Sequence, residues 1–120
     1  MKKALIPLCF PALLLAGQSA ARANDFPTVD RVLYVQECIA AHPGVGRFEM
    51  TNKCACALDA LAKELKYEEY VALSTASKAS SIGGERGSYI RDAAQLQAGI
   101  KRYRALQART EKACFIGAPD

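Results

Sequence analysis

Thr51-Asn52-Lys53-Cys54-Ala55-Cys56-Ala57-Leu58-Asp59-Ala60-Leu61 sets two cysteines one residue apart in a stretch that reads as helix. On a helix, positions two apart lie about 200° apart around the axis, so Cys54 and Cys56 face nearly opposite sides and cannot bond each other. Each needs a partner elsewhere. Of the five cysteines in the chain, Cys9 lies near the start, which leaves Cys38 and Cys114. The segment is thus a hub, tied to an earlier helix on one side and a later one on the other. Cys54, Leu58, Leu61 and Leu65 share one stripe, which turns Cys54 towards the core, while Cys56 shares the other side with Ala60 and Lys63.

Upstream, Met1-Lys2-Lys3, the apolar run from Ala4 to Ala16 and the small-x-small Ala21-Arg22-Ala23 read as a secretory signal over residues 1–23, removed on export. The run contains Pro7 and Pro11 and is shorter than the ~20 residues of a spanning helix. The expectation is therefore a soluble periplasmic protein, one helical domain over residues 24–120, with no membrane association after the signal is removed. Lys2, Lys3 and Arg22 leave with the signal and no acid does, so most of the formal net charge of +4 belongs to it. Lys101, Arg102, Arg104, Arg109 and Lys112 then read as the solvated face of a helix, and no nucleic-acid partner is expected.

Cys38, Cys54, Cys56 and Cys114 in a short exported chain read as two disulfides. A domain of this size buries a modest share of its surface, so covalent staples add stability that the core alone would not supply. Two pairings stay open, Cys38 to Cys54 with Cys56 to Cys114, or Cys38 to Cys56 with Cys54 to Cys114; the first is preferred.

Thr28 can cap a first helix carrying the apolar stripe Val29, Val32, Leu33, Val35 and Ile39, and His42-Pro43-Gly44 ends it. Thr51 or Asn52 can cap the hub helix. A kink is expected near residues 66–69, followed by Tyr67, Tyr70, Val71, Leu73 and Ala76 at helical spacing. The run from Ser74 to Ser81 is small and polar, and should be the softest end of the fold. Ile82-Gly83-Gly84-Glu85-Arg86-Gly87 is a turn. Ser88 can cap a long last helix marked by Ile90, Ala93, Leu96, Ile100, Tyr103 and Leu106. The fold class is all-α, a small disulfide-stapled bundle of three to four helices. Four strictly alternating helices would leave Cys114 at the wrong end, so the hub helix and its successor are expected to run in one direction and the last helix to return along both.

The residues speak against an enzyme. His42 is the only histidine, so Ser/His/Asp and Cys/His arrangements lack a base. Cys54-Ala55-Cys56 allows a thiol-redox or chaperone-like module as an alternative, and Asp59, Glu64, Glu68 and Glu69 allow a hard cation such as calcium or a lanthanide.

Tyr34-x-x-x-Cys38, Cys54-Ala55-Cys56-Ala57-Leu58-Asp59, Tyr67-Glu68-Glu69-Tyr70, Gly84-Glu85-Arg86-Gly87, Ile90-Arg91-Asp92 and Ala113-Cys114-Phe115 together resemble the small exported four-cysteine proteins of methylotrophic bacteria. Those proteins occur around quinoprotein alcohol dehydrogenases and lanthanide handling. The resemblance implies a periplasmic accessory or binding protein with a protein partner in that compartment, or a carrier of a lanthanide or Ca²⁺. It points to Glu68 and Glu69 first as ligands, because the Tyr-Glu-Glu-Tyr match falls on them.

Overall fold

A computed structural model describes residues 25–117. The signal expected over residues 1–23, with Cys9, lies outside the described residues. Among the described residues there are five helices and no strand: α1 Thr28–Ala41, α2 Arg47–Glu64, α3 Tyr67–Ala79, α4 Glu85–Asp92 and α5 Ala94–Ala113. None is long and apolar enough to cross a membrane. The class is all-α with a long last helix as expected, with one helix more than the expected three to four.

Both cysteine pairs are bonded: Cys38 to Cys54 and Cys56 to Cys114, with Cα atoms 6.0 and 5.9 Å apart. The hub helix α2 carries the stripe read from its sequence, with Cys54, Leu58, Leu61 and Leu65 all buried. Its stripe serves two adjoining clusters. Leu58, Leu61 and Leu65 pack with Phe26, Tyr34 and Tyr103, while Cys54 packs with Met50, Ala57, Cys114 and Ile116.

Local signals place the helix ends only in part. α1 stops where expected: the Nδ1–H of His42 donates to the Cys38 carbonyl at 2.8 Å, and Pro43 cannot continue the ladder. α2 begins at Arg47, a full turn before the expected caps. Thr51 and Asn52 lie inside it and bond back to the Arg47 and Phe48 carbonyls at 2.8 Å. Burial of Met50 beside Ile116 and Cys114 rewards that extra turn, and Glu49 there sits near the positive end of the helix dipole and pairs with Lys53.

The helix directions differ from the expected topology. α1 and α2 are antiparallel, joined at Cys38–Cys54 and again at Arg31–Asp59. Between α2 and α3 the chain turns through Leu65 and Lys66, both extended. α3 then lies along α1 in the same sense, since the Tyr67 amide meets Asp25, the Tyr70 ring meets Tyr34, and Lys78 meets Glu37. So α2 and α3 do not share a direction. The aromatic cluster of Phe26, Tyr67 and Tyr70 draws the start of α3 back over the start of α1.

The extra helix answers the parity problem instead. Arg104 in α5 bonds Ser77 and Ser80, which fixes the end of α3 beside the middle of α5. The chain must then travel back to the start of α5, and α4 makes that return. α5 runs antiparallel to α2, from Arg109–Glu64 to Cys114–Cys56. The expected continuous last helix is therefore broken at Ala93 (φ −80°, ψ 97°), with Gln97 donating to the Ile90 carbonyl across the break. Ser88, the expected cap, lies inside α4 and bonds Glu85. The turn before α4 needs its glycines: Gly84 has φ +73°, and a Cβ on Gly87 would lie 1.9 Å from the Ile82 carbonyl oxygen. Arg91 closes that turn by donating to Ile82 and Gly84. The serine-rich end of α3, expected to be soft, is thus held by Arg104.

Candidate binding groove

α1 carries apolar residues on more of its circumference than the core can cover. Tyr34 takes the buried face, its ring edge-on to Tyr70 with centroids 6.4 Å apart. The first part of the stripe read from the sequence is turned outward instead, with Val29, Val32 and Leu33 exposed by 64, 48 and 49 %, while Val35 and Ile39 reach the core. Part of this surface becomes one wall of a groove. Positions 28, 31, 32, 35, 36, 39 and 40 of α1 repeat at three- and four-residue steps and face positions 47, 51, 55 and 58 of α2, enclosing about 750 Å³.

Val35 and Ile39 line this groove and also pack against the core, and Leu58 beneath them is buried. Val32, Ala40 and Ala55 complete its apolar lining. The small side chain of Ala55, between the two hub cysteines, keeps the groove open on the α2 side. Its charged lining residues are Arg31 and Arg47, and no acid lines it. Arg31 donates to Asp59 at 2.8 Å, whereas Arg47 has no side-chain partner among the described residues. The Cys38–Cys54 bond fixes the spacing of the two walls.

Three of the four acidic residues singled out in the sequence are held by arginines. Asp59 on α2 pairs with Arg31, Glu64 at the end of α2 pairs with Arg109 at 3.1 Å, and Glu69 at the start of α3 pairs with Arg102. Glu68 is exposed. Arg102 and Arg109 line one depression with Glu64 and Leu65, so guanidinium groups occupy the space beside that carboxylate. Among the described residues no three His, Cys, Asp or Glu side chains are grouped as a metal ion would require.

Cys54 and Cys56 are separated as the helix period demands. Cys54 is 0 % exposed, so its sulfur is shielded from exchange partners, while Cys56 lies on the exposed side of α2 and reaches buried Cys114. The sequence reading passed over Arg31, Arg47 and Ala55. The available signal was the breadth of the apolar surface on α1, from Val29 through Val35, wider than one buried face. No family profile, curated protein or solved structure matches this chain.

Proposed function

We propose that the protein is an exported, non-enzymatic accessory that holds an amphipathic helix of a larger periplasmic partner in the groove between α1 and α2. The observation that carries this reading is the lining: apolar side chains from two stapled helices, arginines as its charged groups, and no acid. Grooves of this kind take a helix through side chains at i, i+3, i+4 and i+7. α1 has 14 residues, about 21 Å at ~1.5 Å per residue, which matches a partner helix of about four turns. Carboxylates flanking the partner's apolar face would meet Arg47 and Arg31, setting its register and speeding its docking. Two disulfides suit an oxidising compartment. The motif resemblance makes a quinoprotein alcohol dehydrogenase the first partner to try.

The test is a fluorescence-anisotropy titration of the oxidised protein into a labelled synthetic amphipathic helix with leucines on one face and glutamates beside them. Saturable binding is expected, weakened about tenfold or more by Val32→Asp, which puts a charge into the apolar contact. Lysines in place of the glutamates should also weaken it. Equal binding to the Val32→Asp protein, or no binding of the acidic peptide, would remove the groove reading.

A further inference from the structure

A second cleft, of about 240 Å³, opens on the other side of α1 where it meets α3 and α5. Its floor is three tyrosine rings. Tyr34 and Tyr70 meet edge to face with centroids 6.4 Å apart, and Tyr70 and Tyr103 do the same at 6.3 Å. Burial, reinforced by nearby carboxylates, raises the pKa of all three phenols, so they stay neutral.

The rim is rich in acceptors. Glu37 is engaged by Lys78, which also lines the cleft, at 2.7 Å, but the side-chain carboxylate of Glu111 has no hydrogen bond or ion pair among the described residues; only its backbone carbonyl is engaged, by the Cys114 and Ile116 amides. His42 also lines the cleft. Its Nδ1–H is committed to the Cys38 carbonyl, so in the neutral ring Nε2 keeps its lone pair and accepts. An unpaired carboxylate, an imidazole nitrogen and neutral phenols together call for a ligand that donates hydrogen bonds and carries positive charge. Aromatic faces attract cations as well.

We infer that the cleft between α1, α3 and α5 binds a small primary ammonium compound, its charged end towards Glu111 and His42 and its alkyl end over the tyrosine floor. A few carbons fill the available volume. Sites of this kind form between facing helices of bundles, and this one is independent of the groove on the opposite side of α1.

The chain has five tyrosines, three of them on this floor, and no tryptophan, so a saturable change in tyrosine emission is read in a Tyr67→Phe, Tyr89→Phe protein, which leaves only the floor emitting. The oxidised protein is titrated with n-butylamine and, separately, with n-butanol, each corrected for the effect on free tyrosine amide. Saturable change is expected with the amine and not with the alcohol. Glu111→Gln should weaken amine binding about tenfold, the value of one charge-assisted hydrogen bond. Gln107→Glu, one turn away on α5 and lining the same cleft, should tighten it. Val32→Asp should leave it unchanged. The same response to amine and alcohol, no saturable response, or affinity indifferent to both Glu111→Gln and Gln107→Glu would overturn the assignment.

Discussion

Replacing Cys56 and Cys114 together by serine is expected to lower the unfolding free energy by about 4 kcal/mol. The bond closes a loop with a sequence separation of 58, and that closure restrains the unfolded chain far more than the folded one. It also anchors the last turn of α5 on α2, where Cys114 shares a buried cluster with Met50, Cys54 and Ile116. Loss of the bond puts a serine hydroxyl into that cluster. The Cys38–Cys54 bond has a separation of 16 and is worth about 3 kcal/mol on the same basis. A domain of this size has about 5–15 kcal/mol in total, so either loss is a large share. Urea titration of the two double variants checks both the size and the order.

The second large effect is expected at Leu61. This side chain is 0 % exposed and lies in the larger cluster with Tyr34, Leu58 and Tyr103. Leu61→Ala should cost about 3 kcal/mol, the sum of lost transfer energy and the cavity left behind. Leu33→Ala makes the informative contrast. If the α1 stripe formed the core, that change would cost a similar amount. In the structure Leu33 is half exposed, and its truncation should shift stability by no more than about 0.5 kcal/mol. Denaturant midpoints for the two variants, measured side by side, separate the two arrangements of α1.

The hub helix was legible because one stripe and two cysteines constrain each other. A helix period that turns Cys54 inward must turn Cys56 outward, and the bonds follow that division. The need to bring Cys114 back to the end carrying Cys38 was legible too, but not the means. Ile90, Ala93 and Leu96 keep helical spacing straight through the break at Ala93, so periodicity alone does not register it. The break is set by contacts between segments: Arg91 reaching Ile82, and Gln97 reaching Ile90. The start of α2 was misplaced for a similar reason, since burial of Met50 outweighed the capping preference of Thr51 and Asn52.

The candidate site was harder to see. Arg47, Thr51 and Ala55 look like a solvated face of α2 until α1 is laid beside them. Nor does the sequence tell which carboxylates are engaged. The partners of Asp59 and Glu69 lie 28 and 33 residues away, and only the packing of α1 on α2 and of α5 on α3 brings those arginines to them.

The most direct measurement is photo-cross-linking in the source cells, with p-benzoylphenylalanine at Val32 in one sample and at Lys101, exposed on α5, in the other. The expected result is a discrete adduct from Val32 alone, mapping to a partner helix with an apolar face and flanking acids. An identical adduct from Lys101, or no intermolecular adduct from Val32, would contradict a partner helix seated between α1 and α2.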